Sequence, residues 1–250
     1  MLLKNKVAIV AGGARDIGKA VSKKLACEGA KVVINYFDNE DQARETLQEI
    51  QDEGGDAMIV QGDMTKKSDV DNLISEAIKK YGNEINVLVN VVGGLVARKK
   101  LEEMEEDFFD KVIKLNLNSV FLTMQATVPH MPEGSSIVNF ASQAGRDGGG
   151  PGASAYATSK GAVMTFTRSM AKELGPKNIR VNALCPGMIA TTFHDVFTKD
   201  QVRQNVANGT PLKREGTAQE VANLVACLAS YETSFVTGTN IDINGGLAFS

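Results

Sequence analysis

Short apolar runs alternate with longer amphipathic segments along the whole chain, and this alternation limits the possible folds more than any other feature. The apolar runs are continuous, whereas a strand with one face in water alternates apolar and polar residues. Continuous runs indicate strands that are buried on both faces of a sheet. Apolar residues spaced three and four positions apart indicate helices between them. The predicted strands span residues 7–10, 31–36, 57–60, 86–90, 136–140, 180–184 and 240–243.

Strands that alternate with helices predict a parallel sheet with helices on both faces, which is the doubly wound α/β architecture. The predicted helices span about 16–28, 40–53, 70–81, 108–130, 155–174, 196–208 and 218–230. The sequence shows no internal repeat and no linker that would separate one part from another. A length of 250 residues suits one large α/β domain. We therefore expect a single domain over residues 1–250.

The composition argues against several classes of partner. The chain has 27 Lys and Arg against 30 Asp and Glu, a net charge of −3, which disfavours general nucleic-acid binding because that binding depends on neutralising phosphates. The three cysteines and two histidines show no metal-ligand spacing, so we expect no metal site. No apolar run approaches the ~20 residues of a membrane helix, and the N-terminus lacks signal-peptide features. We expect a cytoplasmic protein with no membrane partner.

A glycine-rich turn follows the first predicted strand directly and opens the first predicted helix. It reads Ala11-Gly12-Gly13-Ala14-Arg15-Asp16-Ile17-Gly18. Glycines allow the backbone to approach a pyrophosphate closely, and the helix N-terminus presents free N–H groups to it. An ordinary turn also uses glycine, but the place of this one after the first strand of a βαβ unit favours a dinucleotide site.

A tyrosine and a lysine four residues apart share one face of the predicted helix over 155–174. The ammonium of Lys160 favours the phenolate of Tyr156, whose ordinary pKa is about 10, and so prepares it to exchange a proton with a carbonyl oxygen. Ser142, after the fifth predicted strand, is placed to hydrogen-bond the same oxygen. Asn116, in the preceding helix, is placed to hold a water-mediated proton path to Lys160. Each residue alone is more often surface, cap or local structure, but together they predict an acid–base site.

In this order and spacing, the motifs resemble the short-chain dehydrogenases/reductases over essentially the whole chain. The resemblance rests also on Asp63, Asn90-Val91-Val92-Gly93, Pro186-Gly187 and Asp242-Ile243-Asn244-Gly245-Gly246. It implies a Rossmann-type, mainly seven-stranded parallel sheet, with a cofactor half at about 1–140 and a catalytic and substrate half at about 141–250. It further implies an NAD(P)H-dependent carbonyl reductase that forms a homotetramer. The implied catalytic tetrad is Asn116, Ser142, Tyr156 and Lys160.

The same resemblance implies the residues of the cofactor site, with Asp63 against the adenine and Lys160 on the nicotinamide ribose. The full set is Gly12, Arg15, Asp16, Ile17, Gly18, Tyr36, Phe37, Asp63, Met64, Asn90, Gly93, Tyr156, Lys160, Pro186, Gly187, Ile189 and Thr191. The last four are expected to line the nicotinamide carboxamide. The chain departs from the family pattern at Ala11, at Asp16, where the pattern has glycine, and at Val91-Val92, where it has Asn-Ala.

The end of the second predicted strand discriminates NAD from NADP, because an acidic residue there binds the ribose hydroxyls and repels a 2′-phosphate. This chain has Tyr36-Phe37, which is neither acidic nor basic. Arg15 in the glycine turn favours a 2′-phosphate. Asp16 beside it and the carboxylates of segment 38–41 disfavour one. The balance predicts NADH over NADPH.

Three loops after strands resemble those of the bacterial reductases of alginate breakdown, which convert 4-deoxy-L-erythro-5-hexoseulose uronate to 2-keto-3-deoxygluconate. The loops span 93–99, 144–153 and 190–194. This resemblance implies a small, polar, anionic keto-aldehyde as the substrate. Arginine pairs well with a carboxylate, and glycine keeps a pocket wall low. The candidate substrate residues are Arg98, Gln143, Arg146, Gly149 and His194.

Two other functions stay open on the sequence. A 3-oxoacyl-acyl-carrier-protein reductase of fatty acid synthesis needs a basic docking face outside its pocket, for which Lys99-Lys100, Arg168 and Lys172 are candidates. A non-catalytic, NAD(P)-sensing regulator on the same fold is disfavoured, because the chain keeps both Tyr156 and Lys160.

Overall fold

A computed structural model describes residues 1–249 and contains one sheet of seven parallel strands. In chain order the strands are β1 (Val7–Ala11), β2 (Lys31–Tyr36), β3 (Asp56–Gln61), β4 (Val87–Asn90), β5 (Ser136–Phe140), β6 (Arg180–Pro186) and β7 (Asn240–Ile243). Their spatial order is β3-β2-β1-β4-β5-β6-β7. The predicted parallel sheet and its seven strands are therefore confirmed.

Helices connect successive strands and cover both faces of the sheet. They are α1 (Asp16–Cys27), α2 (Glu40–Asp52), α3 (Lys67–Tyr81), α4 (Glu106–Ile113), α5 (Ser119–Thr127), α6 (Ala144–Asp147), α7 (Ser154–Leu174), α8 (Thr192–Phe197), α9 (Asp200–Gly209) and α10 (Ala218–Ala229). A π-helical turn, Lys114–Asn118, joins α4 to α5. Short 3₁₀ turns lie at Leu101–Glu103, Val128–His130, Gly175–Lys177 and Tyr231–Thr233. Within residues 1–249, no helix combines the length and the apolar composition that crossing a membrane requires.

Alternate residues of the strands face two apolar layers, one on each side of the sheet. In β1, Ala8 and Val10 face the layer that packs against α1 and α10, whereas Ile9 faces the layer that packs against α3, α5 and α7. All three side chains are fully buried. This burial on both sides is the reason that the strands are continuously apolar in sequence.

The strand order reverses at β1, because β2 and β3 lie on one side of it and β4 to β7 on the other. The registers place Ala11 beside Asn90 and Asn90 beside Asn139, so the carboxyl ends of β1, β4 and β5 meet at one edge. In open α/β sheets, ligands bind in the crevice outside the strand ends at such a reversal. The fold therefore places a binding crevice beside the glycine turn that follows β1.

Three predicted segments differ from the structure. The predicted helix over 108–130 is divided by the π turn. The predicted helix over 196–208 is two helices, α8 and α9, because the backbone of Thr198 and Lys199 between them is extended. The predicted loop that follows Ser142 contains the one-turn helix α6.

Candidate active site

The glycine turn after β1 packs closely against α1 and leaves the helix N-terminus open. A Cβ on Gly18 would lie 1.9 Å from the carbonyl oxygen of Gly12, so only glycine permits this approach. Gly12 has φ +78°, in the left-handed region, and its N–H donates to Asn35 Oδ1 at 3.1 Å. The N-cap residue Arg15 makes no side-chain cap bond, so the first amides of α1 keep their hydrogen-bonding capacity. This backbone fits a dinucleotide pyrophosphate.

Asp16 stands where the family pattern has glycine, and it keeps the left-handed backbone conformation with φ +50°. Its carboxylate accepts hydrogen bonds from the N–H and the hydroxyl of Thr192, at 3.0 and 2.6 Å. Arg15 Nη1 donates to the same hydroxyl at 3.1 Å. The carboxylate of Asp16 therefore joins the glycine turn to the first residue of α8, and these donors partly neutralise the repulsion that the sequence predicts toward a phosphate.

Two clefts lie on the β2 side of the turn. The first is lined by Phe37, Gln61, Gly62, Asp63, Lys66, Asp69 and Asn72. The second is lined by Arg15 and by residues 38–42. Phe37, Asp63 and Arg15 thus lie where the predicted adenosine end requires them. Tyr36 and Met64, also expected in this part of the cofactor site, instead have side chains buried in the core.

Four predicted residues of the nicotinamide end follow one another at the end of β6 and the start of the next segment. Pro186 ends β6, and a Cβ on Gly187 would lie 2.7 Å from the side chain of Asn244. Ile189 is buried, and the hydroxyl of Thr191 donates to its carbonyl oxygen at 3.1 Å. This part of the chain therefore passes close to the C-terminal segment on its way to α8.

Asn90 and Ile17, two further residues expected at the cofactor, have mainly structural contacts. The side chain of Asn90 is 2% exposed, donates to Asn139 Oδ1 at 2.9 Å and accepts from Thr123 Oγ1 at 2.7 Å. Asn139 in turn donates to Thr167 Oγ1 at 3.0 Å. Ile17 packs partly against the core layer of α1 and α10. The Asn90 amide therefore joins the end of β4 to β5 and α5 beneath the crevice.

Asn116 lies in the π turn, and its side chain takes over a backbone hydrogen bond there. In a regular α-helix the N–H of residue 116 would bond the carbonyl of Val112; here the Nδ2 of Asn116 donates to that carbonyl at 2.9 Å. The same amide bonds both the N–H and the carbonyl of Gly94, at 3.0 and 2.9 Å. A Cβ on Gly93 would lie 2.6 Å from Asn116 Oδ1 and 2.8 Å from Lys160 Nζ. Glycine at residue 93 therefore allows Asn116 and Lys160 to approach the same point.

Lys160 is buried beside Tyr156 on α7. Its Nζ lies 5.8 Å from the centroid of the Tyr156 ring and donates to the carbonyl oxygen of Phe140 at 2.8 Å. The side chain is 3% exposed, and burial lowers its pKa from 10.5 to about 8. Burial raises the pKa of Tyr156, with the Ser142 side chain acting in the opposite direction. The pKa of Tyr156 therefore lies above its ordinary value, whereas the sequence predicts that Lys160 lowers it.

Ser142 follows the end of β5, in a turn that is bonded to β6. Its Oγ accepts a hydrogen bond from the N–H of Ala144 at 3.1 Å, which orients the hydroxyl oxygen. The N–H of Gln143 donates to the carbonyl oxygen of Pro186 at 2.9 Å. The structure thus places Ser142, Tyr156, Lys160 and Asn116 at the carboxyl ends of β4 to β6, as the resemblance implies.

His194, one of the candidate substrate residues, lies near Tyr156, and the charge of a second, Arg98, acts on His194. The ring of Phe193 lies 6.1 Å from that of Tyr156 and 5.1 Å from that of His194, centroid to centroid. Burial lowers the pKa of His194, and the positive charges of Arg203 and Arg98 act in the same direction. Arg98 is exposed and donates to the carbonyl oxygen of Pro151 at 3.0 Å. Arg98 and His194 therefore border the same region of the crevice.

Arg146 and Gln143, two further candidate substrate residues, make side-chain hydrogen bonds within the protein. Arg146 Nε lies 2.6 Å from Asp242 Oδ1, and its Nη2 donates to the carbonyl oxygen of Asn240 at 2.5 Å. Gln143 is 7% exposed; it accepts from Asn244 at 2.8 Å and donates to Asp147. Both side chains therefore link the start of α6 to residues in and after β7. Gly149, on the exposed loop after α6, has φ +68°.

The sequence motifs do not indicate two aromatic residues of α8 that lie beside Tyr156. Phe193 and Phe197 lie 5.1 Å apart, centroid to centroid, and form an apolar wall next to Tyr156. Their spacing of four residues in a segment that follows Pro186-Gly187 was the available signal, because residues four apart share one face of a helix. The crevice therefore combines an apolar wall with a cation and an imidazole.

Comparison with known proteins identifies the family. A family model described as Enoyl-(Acyl carrier protein) reductase matches residues 12–248. A short-chain dehydrogenase/reductase of Pestalotiopsis microspora is 36% identical over 98% of this chain and 96% of its own length. The 3-oxoacyl-acyl-carrier-protein reductase of Staphylococcus epidermidis is 34% identical over 97% of this chain and 99% of its own length.

Solved structures agree with this assignment. A short-chain dehydrogenase/reductase from Serratia marcescens has a TM-score of 0.94 at 30% identity, with 100% of both chains covered. A blue fluorescent protein from a metagenomic library, solved in complex with NADPH, has a TM-score of 0.92 at 31% identity and 100% coverage of both chains. The chain belongs to the short-chain dehydrogenase/reductase family and is an NAD(P)-binding oxidoreductase.

The buried ammonium of Lys160 predicts a pH dependence of stability. The native pKa of about 8 lies below the unfolded value of 10.5, so between these values the unfolded chain binds a proton that the native chain does not. Stability therefore rises with pH across this window. We expect the free energy of unfolding of the wild type, minus that of Lys160→Met, to increase by roughly 2–3 kcal/mol from pH 7 to pH 10.

Urea unfolding of both proteins at several pH values measures this difference, and titrations common to both proteins cancel in it. A difference that stays constant from pH 7 to pH 10 would show that Lys160 keeps an ordinary pKa in the native state.

Proposed function

We propose that this protein is an NADPH-dependent carbonyl reductase that acts on a small anionic keto-aldehyde. The observation that carries the reductase proposal is the meeting of Tyr156, Lys160 and Ser142 at the strand ends beside the glycine turn. A bound nicotinamide cofactor supplies the hydride that reaches the carbonyl carbon. The phenol of Tyr156 donates a proton to the carbonyl oxygen. The products are therefore an alcohol and the oxidised cofactor.

The other side chains prepare and renew this proton. The hydroxyl of Ser142 donates a hydrogen bond to the carbonyl oxygen and so holds it against Tyr156. The ammonium of Lys160 stabilises the phenolate that remains after proton transfer. Because the pKa of Lys160 is about 8, this group exchanges protons near neutral pH. A water held by Asn116 connects Lys160 to solvent and completes the path.

For the cofactor we propose NADPH, which replaces the NADH preference expected from the sequence. The guanidinium of Arg15 is 66% exposed and lines the cleft beside α2. Its Nη1 bonds Thr192 and lies 3.6 Å from Asp16, and its remaining donors would pair with a 2′-phosphate. Asp16, which weighed against a phosphate, is engaged by Thr192. Glu40 is paired with Arg44. The structural relative in complex with NADPH agrees with this choice.

The proposed substrate is 4-deoxy-L-erythro-5-hexoseulose uronate, which is reduced to 2-keto-3-deoxygluconate. His194 near Tyr156 and the exposed Arg98, whose charge acts on His194, support it, because an imidazole and a cation suit hydroxyls and a carboxylate. The second candidate is a 3-oxoacyl-acyl-carrier-protein reductase. It is favoured by the relative that is 34% identical and by the apolar wall of Phe193 and Phe197.

We also propose a cytoplasmic homotetramer. Exposed aromatic side chains support an assembly, because a contiguous apolar patch on a surface marks a contact site, and the ring of Phe121 lies 6.5 Å from that of Phe166. Phe109 and Phe121 lie on α4 and α5, with exposures of 38% and 44%, and Tyr231 and Phe235 lie before β7 with still higher exposures.

The substrate proposal is tested by following NADPH oxidation at 340 nm with the keto-aldehyde and, separately, with an acetoacetyl thioester. We expect turnover of the keto-aldehyde. Replacing Arg98 with Met should raise its KM about 10-fold, because a charge-assisted hydrogen bond to the carboxylate is lost, and leave the KM of the uncharged carbonyl butane-2,3-dione unchanged. Turnover of the thioester alone would contradict the keto-aldehyde assignment and support the second candidate.

The cofactor proposal is tested with Arg15→Gln. Loss of the guanidinium should lower kcat/KM for NADPH about 10- to 100-fold, since charged hydrogen bonds to phosphate are strong. The value for NADH should change little, because NADH carries no 2′-phosphate. Steady-state kinetics with both cofactors measure the ratio. Equal losses for the two cofactors, or a wild type that prefers NADH, would contradict the assignment of Arg15.

A further inference from the structure

Arg146 is a charged side chain close to Ser142, and the proposed reaction does not use it. It belongs to α6, the turn of helix that follows Ser142. Its Nε lies 2.6 Å from Asp242 Oδ1, and its Nη2 donates to the carbonyl oxygen of Asn240 at 2.5 Å. The two side chains are only 19% and 15% exposed. Such a shielded pair is strongly directional, and it joins α6 to the edge strand β7.

The pair spans β6 to reach β7. Asp242 is the register partner of Cys185 on β6, and Cys185 is fully buried. Burial raises the pKa of this thiol to about 11, and the charges of Arg146 and Asp242 also act on it. The guanidinium therefore lies over the thiol of Cys185 and is fixed from the far side by Asp242. The position of α6 is thus defined relative to two strands of the sheet.

The same helix carries the contacts that orient Ser142. The N–H of Ala144 donates to Ser142 Oγ at 3.1 Å, and the N–H of Gly145 donates to the Ser142 carbonyl oxygen at 3.0 Å. A Cβ on Gly145 would lie 2.8 Å from the backbone nitrogen of Gly161, beside Lys160 on α7. A shift of α6 would therefore change the position of Ser142 relative to Tyr156 and Lys160.

We propose that Arg146, held by Asp242, is a positioning residue that fixes the hydroxyl of Ser142 against the phenol of Tyr156. This inference rests on the proposed role of Ser142 in binding the carbonyl oxygen. It assigns a function to a charge pair whose members are 96 residues apart. The pair is expected to act mainly on the step in which the proton reaches the substrate, because the phosphate cradle of the cofactor lies away from it, on β1 and α1.

The test is a double-mutant cycle of Arg146→Met and Ser142→Ala, assayed with whichever carbonyl the protein turns over. Arg146→Met in the wild-type background should lower kcat about 10- to 100-fold, the loss expected from a misplacement near 1 Å. In the Ser142→Ala background the same change should lower kcat less than about 2-fold, because the group it positions is already absent. The Kd of NADPH, from its fluorescence on binding, should change less than about 2-fold in every variant.

Three further variants separate positioning from general destabilisation. Asp242→Asn keeps an acceptor for Arg146 without the charge and should retain more of kcat than Asp242→Ala. Arg214→Met removes the exposed pair with Glu220 and should leave kcat unchanged. Thermal melts of all variants confirm that the assays compare folded proteins. If Arg146→Met does not fold, the Asp242→Ala and Ser142→Ala cycle replaces it.

The outcomes distinguish this inference from the proposed function. Independent, multiplicative losses from Arg146→Met and Ser142→Ala would overturn the positioning role. A rise in KM for the anionic keto-aldehyde alone, with kcat unchanged, would also overturn it and return Arg146 to the substrate residues. A Ser142→Ala variant with wild-type kcat would contradict the proposed reaction itself.

Discussion

The hydrogen bond between the buried side-chain amides of Asn90 and Asn139 holds together the strands on which the site is built. It joins the ends of β4 and β5, and Thr123 and Thr167 extend it to α5 and α7. Buried amides of this kind are costly unless every partner is present, so the network specifies one relative position of these elements. Asn116 and Lys160 lie on the helical segments that this network fixes.

Close backbone approach at a few glycines brings the functional groups together above that network. Gly18 packs against Gly12 and opens the N-terminus of α1. Gly93 leaves space between Asn116 and Lys160, which a Cβ would fill. Burial then lowers the pKa of Lys160, so the geometry that assembles the site also sets its proton chemistry. Burying this lysine lowers the stability of the folded chain, and the proposed reaction uses the pKa that results.

Local patterns predicted much of this arrangement. The alternation of strands and helices predicted the parallel sheet, and the positions of the glycine turn and Ser142 after strands predicted that they lie at one edge of it. The π turn at Asn116 escaped prediction, because the backbone carbonyl of Val112 bonds a side chain there and periodicity does not register that exchange.

Contacts between distant parts of the chain escaped prediction as well. The sequence placed Arg146 among the substrate residues, but the structure pairs it with Asp242. Likewise, Asp16 was weighed only against a phosphate, whereas it bonds Thr192. In both cases a charged residue was interpreted without its partner, which lies 96 and 176 positions away. The split of the predicted helix over 196–208 is a separate matter, since the backbone of Thr198 and Lys199 leaves the helical region there.

The central claim is that Tyr156 donates the proton in a nicotinamide-dependent carbonyl reduction. The most direct measurement compares two quantities, kcat and the Kd of NADPH, between Tyr156→Phe and the wild type. We expect the kcat of Tyr156→Phe to be about 100- to 10,000-fold lower, which is the contribution of a positioned acid. The Kd of NADPH should stay near the wild-type value. A variant that retains wild-type kcat would contradict the account.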